Sequence, residues 1–393
     1  MQISVVHKDA RQESPDALGL MIVSRLFGAS GQPWMWRQAV GLVGFRKELV
    51  CWQRMNPDTQ PTDLPEHVLS GDPAPYDGDN RWQYRARTAF KGNFYAAIGD
   101  EEAQLTALVE RNRPSVILCH FGDIAMRVMP VARRAGIPLV AYLHGDFSFM
   151  RNRWYRWSFL RSLPDFAAIV VVTGKERDWL IDHGVPAGKI HLVPCGAPTD
   201  IFVPSPERQN GGVEFIMASR LSEDKGCDIS IQAFAAIAPT HPDARLSIFG
   251  DGPQRAYLEQ LSTDLGQQDK ITFHGYVGEE ELSQKMPLHD VFIQHSRIKE
   301  GSPVAIVEAM ACGLPVVSTP VGGIVDQIVP EENGLLVAEG DMAGMADAMG
   351  RLAADEMLRR RFGLAGRVRA VTQYDAPRQT ARLGEILMSA AKV

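Results

Sequence analysis

Two glutamates with seven residues between them, Glu300 and Glu308, stand in a stretch that is otherwise almost free of charge. It reads Glu300-Gly301-Ser302-Pro303-Val304-Ala305-Ile306-Val307-Glu308 and runs on through Ala309-Met310-Ala311-Cys312-Gly313-Leu314-Pro315. The pattern predicts a loop feeding a short helix. Ser302 suits the cap, and Pro303 suits the first helical position, where its missing N–H costs nothing. Gly313 suits a left-handed residue past the end, and Pro315 blocks continuation. A helix that is apolar all round is normally buried, and a carboxylate buried in it is costly without a partner. Ala305 stands where a capping box would need Glu or Gln, so the N–H groups of Val304 and Ala305 are open to an anion at the positive end of the helix dipole. The plainer alternative makes Glu300 a solvated loop residue and Glu308 an outward-facing one, as most glutamates are. The apolar neighbours of Glu308 weigh against it.

A second constellation is cationic. Phe215–Ala218 reads as a strand that ends in Ser219-Arg220, and Lys225-Gly226 follows after four residues. In a doubly wound sheet, ligands bind beyond the carboxyl ends of strands. Arginine can fork onto phosphate oxygens there, and lysine can act as a point charge. Two solvated loop charges are the alternative. Together with an open helix start at Ser302, phosphate is the better reading. Ile248-Phe249-Gly250-Asp251-Gly252-Pro253 is another strand-to-turn junction, without the third glycine of a dinucleotide fingerprint. His274-Gly275-Tyr276-Val277 ends the next strand, and His274 reads equally well as an ordinary turn residue.

In the first half of the chain, Val140-Ala141-Tyr142-Leu143-His144 places a histidine at a strand end. Such a histidine can donate to a hydroxyl or stabilise developing charge, although most are structural. His120 ends a neighbouring strand and is the weaker candidate, for acceptor contact. Gly28 and Gly31, in Phe27-Gly28-Ala29-Ser30-Gly31, permit close backbone approach to a ligand. The segment from Arg151 to Arg161 mixes four arginines with four aromatics and no acid. It fits a helix lying on an anionic membrane surface, where each cation adds about 1 kcal/mol, or one packing its rings on a sheet.

The elements that must position these groups read as alternating short apolar strands and amphipathic helices, which means parallel sheets with crossovers. Candidate strands are Leu20–Val23, Leu49–Trp52, Val116–Cys119, Leu139–Leu143, Ala168–Val172 and Ile190–Val193. After a Pro- and Gly-rich break over Pro194–Val213 come Phe215–Ala218, Leu246–Phe249, Ile271–Phe273, Val291–Gln294, Pro315–Ser318 and Leu335–Val337. Two sets of about six predict two doubly wound domains, residues 1–200 and 208–375. Thr380–Ala391 reads as a helix. Residues 54–80 read as a long surface loop, and residues 1–17 are ambiguous.

The 393 residues are too many for one ordinary core. A net charge of −6 makes free nucleic acid an unexpected partner. Five cysteines without paired spacing read as reduced buried thiols of a cytoplasmic protein. There is no basic start followed by a long apolar run, and no stretch of spanning length, so any meeting with a membrane is expected at its surface. No Asp-x-Asp stands at a strand end, no zinc-like cluster is visible, and no metal or cofactor is expected.

The spacing Glu, seven residues, Glu, followed by Ala-Met-Ala-Cys-Gly-Leu-Pro-Val-Val, resembles the signature of the retaining glycosyltransferase family 4 (glycosyl transferases group 1). The match is dense over Val291–Val337 and weaker elsewhere. The resemblance implies an α/β GT-B fold of two Rossmann-like doubly wound parallel-sheet domains facing a cleft, with helix 376–393 packing back on the N-terminal one. It implies that Glu308 holds the ribose hydroxyls of a nucleotide sugar and that Glu300 contacts the transferred sugar. The diphosphate would meet Gly301, Ser302, Pro303, Val304 and Ala305 at the helix start, with Arg220 and Lys225 neutralising it. The loop of His274, Tyr276 and Val277 would offer backbone atoms to the nucleotide base, and His144 would meet the donor sugar. Gly250 is a further substrate-binding candidate, although Gly-Asp-Gly-Pro alone is most often just a tight turn. The family's adjacent glycines near the first strand are split here by Ala29-Ser30. The expectation is a metal-independent hexosyl transfer with retention, from a UDP-sugar first and a GDP-sugar second, to a cell-surface polysaccharide or lipid-linked precursor. A small-molecule acceptor, an epimerase of the same fold and a silent nucleotide-sugar binder are the alternatives.

Overall fold

A computed structural model describes residues 17–29, 32–58, 60–71, 88–89, 91–145, 150, 152–205, 211–297 and 300–392. Its described residues form two compact units. One takes in the chain up to Val171, Arg177–Val193 and the stretch from Thr380; the other takes in Val172–Glu176 and Pro194–Gln379. The expected glycine contact at Gly31 and the segment before residue 17 lie outside the described residues.

The N-terminal unit is built on strands β1 (Leu18–Phe27), β2 (Phe45–Arg54), β3 (Glu66–Val68), β4 (Val116–His120), β5 (Leu139–Tyr142), β6 (Ala168–Val171) and β7 (Ile190–Leu192). They form one parallel sheet in the order β3-β2-β1-β4-β5-β6-β7. A parallel sheet is covered on both faces, which is why its central strands read as unbroken apolar runs. Leu20 to Val23, Leu49 to Cys51 and Val116 to Cys119 are all buried. Helices α1 (Pro33–Gly41), α2 (Asp100–Asn112), α3 (Gly122–Ala135), α4 (Arg153–Ser162) and α5 (Gly174–Asp182) make the crossovers.

Two expectations need correction here. β1 and β2 are ten residues each, far longer than their apolar stretches, because their ladder runs in register from Leu18↔Phe45 to Phe27↔Arg54. Backbone pairing carries the polar ends where burial does not. The supposed loop over 54–80 contains β3, a three-residue edge strand that pairs Glu66 with Leu49 and Val68 with Cys51. A three-residue edge strand has too few residues to show a period.

The second unit repeats the plan with β8 (Glu214–Ala218), β9 (Arg245–Phe249), β10 (Ile271–Gly275), β11 (Val291–Gln294), β12 (Val316–Ser318) and β13 (Gly334–Leu336), in the order β10-β9-β8-β11-β12-β13. Its helices are α6 (Cys227–Ile237), α7 (Arg255–Asp264), α8 (Glu279–Lys285), α9 (Val304–Ala311), α10 (Ile324–Gln327), α11 (Met342–Ala354) and α12 (Glu356–Gln373). The last helix, α13 (Ala376–Ala390), places a methionine near the turn after α1: a Cβ on Gly44 would meet Met388 Cε at 2.8 Å.

In each sheet the strand order reverses beside its first strand, between β1 and β4 and between β8 and β11. The crevice outside the carboxyl ends at such a switch point is where open α/β sheets bind ligands. Among the described residues, no helix is long and apolar enough to cross a membrane. All five cysteines are buried and unbridged.

Candidate active site

At the switch point of the second sheet, the loops after β8 and β11 bring together three of the residues singled out above. Lys225 ends a short 3-10 turn over Glu223–Lys225, and Gly226 follows with φ +56°. A Cβ on Gly226 would sit 1.9 Å from the His295 carbonyl oxygen, so only glycine lets the two loops close. Lys225 Nζ then donates to Glu300 Oε1 at 2.5 Å and lies 3.6 Å from Asp224. Glu300 Oε1 also accepts from Ser296 Oγ at 2.8 Å and from Gln294 Nε2 at 3.4 Å. Arg220 is tied to the same group through Ser222 at 3.1 Å and Asp224 at 3.4 Å, with its side chain 67% exposed. Burial alone would raise the Asp224 carboxyl, but the Ser222 hydroxyl, Lys225 and Arg220 together hold it below the usual carboxylate range. The result is a compact cationic pair already neutralised by Asp224 and Glu300.

The backbone of Glu300 is pinned from a direction that the sequence did not suggest. Gly323 N donates to Glu300 O at 2.8 Å, and a Cβ on Gly322 would lie 1.8 Å from that oxygen. Gln294, Ser296, Asp224, Gly322 and Gly323 were all missed; the adjacent glycines after Pro320 were the signal that could have found the last two.

Helix α9 begins one residue later than expected. Pro303 is its cap, in an extended conformation, and Val304 is its first residue. Ser302 makes no cap: its hydroxyl donates to Cys195 O at 3.4 Å and accepts from Gln327 Nε2 at 3.2 Å. Gln327 Nε2 also donates to Pro303 O at 3.2 Å, so α10 holds the turn that a capping side chain would otherwise hold. Gly301 lies against Gly323, whose added Cβ would meet its carbonyl oxygen at 1.9 Å. Gly313 has φ +73° and closes the other end. Glu308 is 6% exposed within a helix whose Ile306, Val307, Ala309, Met310 and Ala311 are all buried. Its charge helps to push up the neighbouring Cys312 thiol, after burial itself.

The remaining positions of this unit flank the switch point. Gly250 has φ +124°, and a Cβ there would meet Ser219 O at 1.9 Å, so the turn after β9 abuts the loop that carries Arg220. His274 stacks on Phe249 at 4.3 Å and 5°, and burial with Lys285 nearby lowers its proton affinity. Tyr276 is 61% exposed, and Val277 packs on the cluster around α9.

The N-terminal unit gathers a different set at its own switch point. His120 ends β4, opposite Tyr142 of β5. Its Nδ1 lies 3.1 Å from His144 Nε2. Rings of Trp34 at 4.3 Å, Tyr142 at 4.2 Å and Phe121 at 5.0 Å surround His144. Burial pushes His120 down to about 3 and, with His120 beside it, His144 well below the usual range. Both rings are therefore neutral near pH 7. His120 is 1% exposed, so the acceptor contact expected of it gives way to a contact with His144. Gly28 has φ +83°, and its Cβ would strike Met55 O at 2.1 Å; its need for glycine comes from the close approach of the residues after β2.

Of the basic aromatic segment, α4 buries Tyr155 and Phe159 in the core and sets Trp154 and Trp157 against Phe94 at 4.9 and 4.8 Å. Arg153, Arg156, Trp157 and Arg161 face outward. Among the described residues, no cluster of three or more histidine, cysteine or acidic side chains is placed to hold a metal ion.

Residues 200–369 match the family described as Glycosyl transferases group 1, and residues 66–201 match Glycosyltransferase Family 4. A GDP-mannose-dependent alpha-(1-6)-phosphatidylinositol monomannoside mannosyltransferase of Mycolicibacterium smegmatis is 30% identical over 275 residues, covering 66% of this chain and 72% of the relative. An exopolysaccharide phosphotransferase of Streptomyces coelicolor is 35% identical over 202 residues, 51% of this chain, but the chain spans only 21% of that relative's length. Among solved structures, Anabaena HepE in complex with UDP superposes with a TM-score of 0.78 at 18% identity, covering 95% of this chain and all of that one, a likeness of fold.

Proposed function

The chain belongs to the group 1 glycosyltransferases of family 4 and has the GT-B fold, and from that premise we propose that it moves a hexose from a nucleoside diphosphate sugar to a hydroxyl of a cell-surface polysaccharide or lipid-linked saccharide precursor, with retention of configuration. The observation that carries this reading is the Lys225–Glu300 pair at the switch point of the second sheet. A donor diphosphate entering there displaces one set of anions with another. Lys225 turns from Glu300 and Asp224 toward the phosphates, with Arg220 and the start of α9 beside it. Glu300, released from Lys225 but still held by Ser296, is then an acceptor for hydroxyls of the transferred sugar. Glu308 takes the ribose. As the glycosidic bond breaks, negative charge grows on the leaving diphosphate, and preorganised cations there lower the barrier. The leaving phosphate takes the acceptor proton on the same face. His144 is a proposed contact of the donor sugar.

A UDP-sugar is the first choice of donor. GDP-mannose is the second, favoured by the mycobacterial relative. That relative's lipid acceptor also supports a role for the outward Arg153, Arg156, Trp157 and Arg161 at an anionic membrane surface. A thermal-shift panel of UDP, GDP and their sugars decides the donor, since a ligand at 100 times its dissociation constant stabilises by about 2.7 kcal/mol. Stabilisation by neither nucleotide would overturn the reading, as would donor turnover without any acceptor, which an epimerase would give. Transfer that persists at full rate in chelator supports the metal-independent form. Sedimentation with anionic vesicles tests the membrane contact; equal recovery in the supernatant for wild type and an Arg153→Glu/Arg156→Glu variant at low salt removes it.

A further inference from the structure

We propose that His120 is a positioning residue that sets the tautomer and ring orientation of His144, an inference that rests on the reading of His144 as a donor-sugar contact. The two rings meet through His120 Nδ1 and His144 Nε2 at 3.1 Å, with 23° between their planes. A neutral imidazole carries one N–H and one bare nitrogen. A hydrogen bond between the two rings needs one proton on that shared edge and no second one. Only two arrangements satisfy this, and they tie the rings together: both are protonated at Nδ1, or both at Nε2. Burial of the pair disfavours a third state in which either ring is charged. His144 Nε2 is engaged by His120, so a hydroxyl donor on His144 has to be Nδ1–H. His120 must then donate from its own Nδ1, and both rings take the Nδ1–H form.

The surroundings hold this arrangement. His120 leaves β4 in register with Tyr142, whose hydroxyl donates to Val193 O at 2.7 Å and accepts from Gln38 Nε2 at 3.4 Å. Trp34 closes over both imidazoles, 5.7 Å from His120 and 4.3 Å from His144. His120 is 1% exposed and cannot reach a saccharide, while His144 keeps part of its surface. An outer partner of this kind fixes which nitrogen of a functional histidine carries the proton.

The direct test is nitrogen-15 NMR of the full chain labelled in histidine. Both rings should show Nδ1 protonated and Nε2 bare. His144 protonated at Nε2, or the two rings in opposite tautomers, would overturn the proposal without any variant. Kinetics gives a second test. His120→Leu removes the donor, and His120→Asn keeps an N–H at the same place along the side chain. The leucine variant should lose about 10- to 100-fold in kcat, the usual scale for an outer-shell partner, with KM for the nucleotide sugar nearly unchanged. The asparagine variant should recover most of that loss. Equal loss in both variants, or no loss in the leucine variant, would sink the idea. His144→Ala keeps the two failures apart: full activity there withdraws the sugar contact, while the tautomers of the wild-type pair still decide whether His120 sets the ring.

Discussion

The loops after β8 and β11 collect charge, while the last residue of β4 and the loop after β5 set a histidine pair among aromatic rings. Both lie at the switch point of a sheet with the same order about its first strands. In the second unit, Arg220, Lys225, Asp224 and Glu300 form a network that keeps its side chains partly in water. In the first, two neutral histidines sit among three aromatic rings. One topology thus supports opposite electrostatics, because the sheet fixes where loops end and the loop residues fix the dielectric. The charged site suits a diphosphate, whose charge must be met. The neutral site would suit a sugar hydroxyl that takes a directed donor beside apolar faces.

The largest effect should come from removing the centre of the charged site. Lys225→Ala should lower kcat by on the order of 10² to 10³, the scale for losing one preorganised stabilising group, with little change in melting temperature. Initial rates at saturating donor measure it; near-wild-type turnover would break the contrast between the two sites. Glu308→Gln should come next. A hydrogen bond to a charged group contributes about 1.5–3 kcal/mol, so nucleotide affinity should fall by roughly 10- to 100-fold. A 2′,3′-dideoxy nucleotide should lose much less further affinity in the variant than in wild type. Additive losses in calorimetry would separate Glu308 from the ribose.

Arg220→Ala should cost less than Lys225→Ala, about tenfold in turnover. Its side chain is 67% exposed, so solvent screens it where Lys225 is more enclosed. A larger loss than for Lys225→Ala would reverse the order within the charged site.

The smallest effect should be on stability, and it belongs to the neutral site. His120 is pushed down to about 3 in the folded chain, while an unfolded histidine titrates near 6.5. The unfolded state therefore binds more protons between those values. Stability is fully present above about 6.5 and is lost as pH falls toward 3, at up to about 1.4 kcal/mol per pH unit per histidine. Denaturant melts between pH 6.5 and 5, before most carboxylates titrate, should show a shallower pH slope for His120→Asn than for wild type. An unchanged slope would mean that the His120 ring is not held neutral by its surroundings.

The sequence by itself determined the local pattern. Apolar runs that must be covered on both faces gave most strands of two parallel sheets. The Glu300-to-Pro315 stretch gave a short buried helix closed by Gly313, because a helix with one charge among apolar residues has few other places to lie. The ends of those elements depended on partners far along the chain. Pro303 replaced Ser302 as the cap of α9 because Gln327 already held Ser302 and the Pro303 carbonyl. β3 escaped notice because three edge residues, Glu66, His67 and Val68, gain their structure from pairing with β2 and are too few to show a period of their own. Only the tertiary structure decided that Lys225 and Glu300, 75 residues apart, share a hydrogen bond, and that His120 turns toward His144 and away from solvent. Spacing along a chain fixes which face of an element a residue occupies; which other face it meets is set by strand order, and strand order comes from packing the whole sheet.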